Sequence, residues 1–332
     1  MVSFKRFSSE AFPNLALLLR GHARWYAVIM FVALLSFGGW HFFTAAPAGF
    51  SPGNVVIAQG ASAAKVAQEL AEAHVIAHPA LLRALLRVSG EENSVQAGMY
   101  GFDTPENLFV VLRRIVTGDY GLPPVRLTFV EGATVRDMAA RIAYAFPDIS
   151  EADFRRVAQP YEGYLFPDTY FLPPSSDAAS IVALMRANFA AKTAALSPEI
   201  AASGHTLSDI VIMASLVEKE ARAPTDKRVV AGILWNRILR GMPLQVDAVF
   251  GYIYNRDTYA PSLADLKTDS PYNTYLHTGL PPGPIDNPGL DSLEAAANPA
   301  KTDYLYYLTG ADGRMHYATT YAGHQANLKR YL

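Results

Sequence analysis

The chain has 332 residues, room for about two domains with substantial cores. Its 28 basic and 30 acidic side chains leave a net charge of −2, and 51% of its residues are hydrophobic. That balance excludes a disordered or collagen-like chain and lacks the basic excess of a nucleic-acid binder. There is no cysteine, which removes disulfide scaffolds, thiolate metal sites and cysteine nucleophiles together.

The charge is unevenly spread. Residues 1–24 carry Lys5, Arg6, Arg20 and Arg24 against Glu10, and histidine apart no further charged side chain appears until Lys65. The intervening run 25–46 has the ~20 residues a helix needs to cross a bilayer core. Trp25, Tyr26, Trp40, Phe42 and Phe43 lie near its ends, where aromatic rings favour the interface. The reading is a cytoplasmic tail (1–24), a transmembrane helix (25–46) and an exported remainder, by the positive-inside rule. The apolar run is too long for a cleaved signal core of ~7–15 residues.

Beyond residue 50, Asn54–Gln59 reads as a strand leading through Gly60 to Ser62, an N-cap for a helix ending near Ala73. The same order recurs 72 residues later: Gly132, Ala133 and Thr134 match Gly60, Ala61 and Ser62, and Met138, Ala139 and Ile142 match Val66, Ala67 and Leu70. Two copies do not make a solenoid; they read as the openings of two small α+β modules. Helices are expected over Pro79–Val88 and Thr104–Thr117, with the linker GDYGLPP (118–124) after them.

Several signatures can be discarded. His74 and His78 have the i,i+4 spacing of a zinc helix, but Val75 stands where the motif needs glutamate. No phosphate-binding loop and no GxSxG elbow is present. Ser62 and Lys65 fit S-x-x-K, yet its companion motifs end wrongly, as Ser176-Asp177-Ala178 and Lys301-Thr302-Asp303. No metal or cofactor is expected.

The most informative segment is HTLSDIVIMASLVEKEA, 205–221. Thr206 caps a helix with Asp209 in the capping-box position. Leu207, Ile210, Val211, Ala214, Val217 and Ala221 form one apolar stripe, and Glu218 falls inside it. Glu220 lies about 200° away, beside Asp209, Met213 and Leu216. A carboxyl on an apolar stripe is costly unless paired, neutral or lining a cleft. Two readings stay open on this helix alone: a general acid kept protonated by burial, or a structural glutamate satisfied by Arg222 or Arg237. A second helix (225–241) follows, and then loops crowded with Gln245, Asp247, Tyr272, Asn273, Thr274 and Tyr275. The run Gly279–Gly289 holds four prolines and three glycines, so it is a stiff, shaped loop. Aromatic and amide side chains near a lone acid suit a sugar-binding cleft.

The motifs SLVEKEA (215–221), RILRGMPLQVDAV (237–249), SPYNTYLHTGLPPGPIDNPG (270–289), AAANPAKTDYLYYL (295–308) and EGYLFPDTYFLP (162–173) together resemble the YceG-like, MltG-type endolytic murein transglycosylases. The resemblance implies an α+β chain: a single N-terminal anchor, a LysM-like module (51–125) and a mixed α/β catalytic domain (126–332). It implies cleavage of peptidoglycan strands between N-acetylmuramic acid and N-acetylglucosamine, leaving 1,6-anhydro ends. The first glutamate of VEKE, Glu218, is then the catalytic residue. Gln245, Asp247, Tyr272, Asn273, Thr274 and Tyr275 bind substrate, with Glu220, Glu162 and Asp168 in support. The setting implied is the bacterial inner membrane with a periplasmic catalytic domain, and peptidoglycan synthases are candidate partners.

A transglycosylase needs one acid, because the sugar's own 6-hydroxyl attacks the anomeric carbon. Most glycoside hydrolases need two carboxyls at ~5–5.5 or ~6.5–9.5 Å, and Glu218 and Glu220 point to different sides of one helix. Two rivals remain at this level: a hydrolytic muramidase using Glu218 with Asp247, and a non-catalytic peptidoglycan-binding scaffold.

Overall fold

The computed structural model describes residues 13–45, 47–256 and 260–332. Residues 1–12 of the expected cytoplasmic tail, and Ala46 at the end of the expected span, lie outside the described residues. The chain divides after Pro123 into two compact units, each with its own hydrophobic core.

The first unit opens with α1 (Pro13–Thr44). Along it Trp25, Ile29, Phe31, Leu34, Leu35 and Phe37 are all exposed. Among the described residues no single helix is both long and apolar enough to cross a membrane, and the apolar stretch runs from Trp25 to Trp40. At its far end Trp40 stacks on Phe109 at 4.7 Å, and Thr44 accepts a hydrogen bond from Asn107. Next come β1 (Gly53–Ile57), α2 (Ala63–Glu72), α3 (Pro79–Ser89), β2 (Gly98–Phe102) and α4 (Leu108–Thr117). The two strands pair antiparallel, Val55 opposite Tyr100. Ser62 caps α2 as expected, its Oγ accepting from the Lys65 amide at 3.3 Å. Residues 104–107, expected to be helical, stay outside α4. Asn107 caps that helix by accepting from the Phe109 amide, and a residue that caps cannot also continue the turn before it.

The second unit repeats the strand–turn–helix opening with β3 (Val125–Thr128) and α5 (Val135–Ala145), then α6 (Glu151–Ala158), β4 (Thr169–Leu172) and α7 (Ala178–Ala194). Strand β3 pairs antiparallel with β4. Gly60 and Gly132 share a left-handed φ of +75°, and Thr134 completes a capping box with Asp137. The paired sequence copies therefore fold alike because the same turn and the same cap recur.

Around this layer the chain adds α8 (Ser197–Ser203), α9 (Leu207–Glu220), α10 (Pro224–Leu239), α11 (Ala248–Ile253) and α12 (Leu290–Ala297), then the hairpin β5 (Tyr306–Thr309)–β6 (Met315–Ala318) and α13 (Tyr321–Tyr331). Helix α9 is central. Every residue from Ile210 to Val217 is buried, including Ile212, Met213 and Leu216 off the expected stripe, because α10, α11 and α12 all pack on it. Thr206 and Asp209 form the expected capping box.

Candidate active site

Helix α9 ends with two glutamates facing different surroundings. Glu218 is saturated. Its Oε1 accepts from the Lys227 ammonium at 3.1 Å, and its Oε2 accepts from the Gly289 amide at 2.9 Å and the Ser292 hydroxyl at 2.6 Å. Lys227, on α10, is itself buried, so this is a buried ion pair in which both carboxylate oxygens are hydrogen-bonded. The partner is this lysine rather than Arg222 or Arg237. Glu131 stands beside the pair, and burial followed by the Glu218 charge pushes its carboxyl above the usual range. A Cβ at Gly289 would fall 2.1 Å from the Glu131 carboxyl, so a larger residue there would have to displace that side chain.

Glu220, the last helical residue of α9, has one hydrogen bond among the described residues, from the Tyr307 hydroxyl at 3.0 Å. Burial pushes its carboxyl up to about 7; the Tyr307 bond and Arg237 oppose that, and the nearby Asp247 adds to it. Arg237 lies beneath, 6% exposed. It donates to the carbonyls of Leu305 and Leu244 at 2.7 Å each and to the Gln245 amide oxygen at 3.4 Å. One guanidinium thus ties the approach to β5 to the loop before α11, fixing Gln245, whose left-handed φ of +52° is uncommon outside glycine. Asp247 accepts from the Tyr275 hydroxyl at 2.5 Å. Gln245 and Asp247 are both exposed, so the site opens to solvent as a polymer substrate requires.

The expected cleft residues therefore separate. Gln245, Asp247 and Tyr275 gather near Glu220, and among the described residues no hydrogen bond or ion pair joins them to Glu218. Asn273 and Thr274, expected to bind substrate, are buried instead. Asn273 donates to the Leu266 and Thr268 carbonyls and accepts from the Tyr275 amide, while Thr274 bridges both backbone groups of Val246. Their polar atoms are consumed in shaping the loop that presents Tyr275 and Gln245. Tyr272 packs on Tyr252 at 5.1 Å.

The supporting carboxylates divide as well. Glu162 is buried, accepts from the Val135 amide and from Asn287, and is pushed up to about 7 by burial. It secures the start of α5 to the stiff loop. Asp168 sits apart, held low by Asn188, the Thr169 amide and Lys192. Sequence reasoning missed Tyr307, Lys227 and Ser292, and treated Arg237 only as a partner for Glu218. A lysine and an arginine within the largely apolar α10 were the available signal. In the same loop Asp286 is fully buried with neither oxygen hydrogen-bonded, and burial pushes its carboxyl well above the usual range despite Lys219 at 3.8 Å.

Residues 55–330 match the profile of the YceG-like family. The chain belongs to the YceG-like family. A Bacillus subtilis (strain 168) relative named endolytic murein transglycosylase is 31% identical over 306 residues, 84% of each chain. A Streptococcus pneumoniae (D39) relative of the same name is 35% identical over 177 residues, covering 52% of this chain and 32% of the longer relative. The crystal structure of a YceG-like protein from Listeria monocytogenes superposes with a TM-score of 0.57 at 27% identity, over 84% of this chain and 99% of that one. As a YceG-like protein, the chain carries Glu218, Glu220, Asp247 and the aromatic loop in motifs that lie wholly within the matched residues.

Proposed function

We propose that this YceG-like protein is an endolytic murein transglycosylase, cutting the β-1,4 bond between N-acetylmuramic acid and N-acetylglucosamine inside glycan strands and leaving 1,6-anhydro ends. The naming of the Bacillus relative over most of both chains supports the activity. The observation that carries the mechanism is Glu220: a carboxyl pushed up to about 7, under-coordinated, and next to exposed Gln245 and Asp247. A general acid works best with its pKa near the operating pH.

Glu220 therefore replaces Glu218 as the proposed acid. Glu218 has both oxygens committed to Lys227, Gly289 and Ser292, and carrying the proton that a general acid must deliver would set the buried Lys227 beside a neutral partner. In the proposed reaction Glu220 gives its proton to the bridging glycosidic oxygen as the bond to C1 of the muramic acid breaks. The carboxylate then takes the proton of the 6-hydroxyl as that oxygen bonds to C1. No water is consumed, and Glu220 ends protonated for the next turnover. Arg237 and the Tyr307 hydroxyl stabilise the carboxylate between the two steps.

A hydrolytic second reading rests on one observation, the Asp247 carboxylate within electrostatic reach of Glu220. Mass spectrometry of muropeptides released by the purified protein separates the two. Anhydro-muramyl ends support the transglycosylase, and reducing ends alone refute it.

For the remainder, we propose a LysM-like module over 51–125, a catalytic domain over 126–332 and a single-pass inner-membrane anchor over 25–46 with the N-terminus cytoplasmic. The exposed apolar side chains from Trp25 to Trp40 and the basic leader support the anchor. Reporter fusions at each terminus test it: a periplasmic signal from a fusion at residue 1 would reverse the topology.

A further inference from the structure

A cavity of about 260 Å³ is walled in part by residues next in sequence to those of the proposed reaction centre. Its walls come from the start of α5, from α6, from the end of α9 and from α11 with the turn after it. Four cations line it: Arg136, Arg155, Lys219 and Arg256. Two carboxyls, Asp137 and Glu162, share the lining, and Arg136 is paired with Asp137. Asp137 accepts from the Thr134 amide and hydroxyl at 2.9 and 2.7 Å and from Arg136 at 3.5 Å, while Glu162 accepts from Val135 and Asn287. Arg155 is exposed and joins no ion pair among the described residues. Lys219 hydrogen-bonds the Gly132 carbonyl at 2.7 Å, and its nearest carboxyl, Asp286, is 3.8 Å away. Asn255, on the wall formed after α11, holds a left-handed φ of +55°, a local strain that surrounding structure must maintain.

The cavity borders the two chain segments that carry the proposed chemistry. Lys219 immediately precedes Glu220, and Ala248 on the cavity wall immediately follows Asp247. Its volume falls below the ~300–1,000 Å³ that encloses a drug-sized ligand, which suits a side branch and not a run of sugars. On the glycan strand the sugars are neutral while the lactyl group is amidated, so the strand's anionic groups are the carboxylates of its peptide stems.

Resting on the transglycosylase reading, we infer that this cavity receives a stem-peptide carboxylate of the muramic acid bound at the cleavage site, with Arg155 and Lys219 as its main ligands. Guanidinium pairs with carboxylate through two parallel hydrogen bonds, so the pocket selects peptide-bearing strands over stripped ones.

The test uses full-length protein and two uncrosslinked substrates: strands with peptides, and strands whose peptides an amidase has removed, leaving free lactyl carboxylates. For Arg155→Gln, the ratio of kcat/KM on peptide-bearing to stripped strands should fall roughly tenfold through KM, as expected for loss of a charge-assisted hydrogen bond. Arg155→Lys should recover part of it. An equal loss on both substrates, or no loss, overturns the inference. A loss confined to stripped strands also overturns it, in favour of the lactyl carboxylate. Calorimetric titration with N-acetylmuramyl-tripeptide reads the pocket without turnover. Weaker binding to Arg155→Gln than to wild type supports it even if no anhydro ends form, an outcome that would sink only the transglycosylase reading; equal binding refutes the pocket.

Discussion

The two sides of the end of α9 hold chemically identical side chains in opposite conditions. On one side Glu218 meets a buried ammonium, an amide and a hydroxyl, and on the other Glu220 meets a single phenol and a neighbouring carboxylate. On the proposed mechanism, stability and reactivity are thereby separated by two residues of sequence. The Glu218 carboxylate is held by three donors. Glu220, desolvated and beside Asp247, accepts from one among the described residues.

The sharpest way to break this comparison is to neutralise each glutamate. Glu220→Gln should lower anhydro-muropeptide release by at least ~10²–10⁴-fold, the usual worth of a positioned general acid, with unchanged or higher thermal stability because a desolvated acid becomes an amide. Glu218→Gln should retain more activity and lose stability. If mass spectrometry finds the activity loss at Glu218 alone, the assignment of the acid is reversed.

Next in size is Lys227→Met. Removing one partner of a buried pair strands the other, at about 3–5 kcal/mol, read as a lower denaturant midpoint. Both groups are under a tenth exposed, so little solvent screening reduces this figure. A change below about 1 kcal/mol would mean that Glu218 is more solvated than its partners suggest.

The Glu220 side can be sharpened through its neighbours. If Glu220 acts as acid, kcat/KM should fall as pH rises through about 7. Asp247→Asn removes a charge that raises this pKa, so the alkaline limb should move to lower pH. Tyr307→Phe removes a hydrogen bond that lowers it, so the limb should move to higher pH. Limbs that shift together, or stay fixed, would disconnect these residues from the acid.

The smallest effect concerns stability alone. Glu162 and Glu220 both have folded-state pKa values near 7 against an ordinary value of 4.5. Between those limits the folded state binds more protons than the unfolded one, so stability falls as pH rises. Glu162→Gln should flatten that slope between about pH 5 and 7 in urea titrations; an unchanged slope would place the burden on other groups.

Several features of this YceG-like chain were legible locally. Ser62, Thr134 and Thr206 announce their helices because a cap needs only a side-chain oxygen and the next turn's amides. The apolar run after Arg24 and the motif order from Glu162 to Leu308 pointed to the family, and Gly60 and Gly132 marked the same left-handed turn twice. What the local pattern misjudged was α9. A single apolar stripe was expected, whereas packing buries the helix on every side from Ile210 to Val217, so the stripe does not by itself mark the face toward the cleft.

Tertiary structure alone decided which partners each glutamate meets. The groups that decide it come from far along the chain: Gly289 and Ser292 for Glu218, and Tyr307 for Glu220, with Arg237 reaching Leu305. Asn273 and Thr274 likewise looked like sugar ligands until their polar atoms proved to be occupied within the loop. Capping and periodicity depend on the nearest turn of chain, so sequence determines them. Desolvation and hydrogen-bond completion depend on whatever packs nearby, and that is fixed only when the chain has folded.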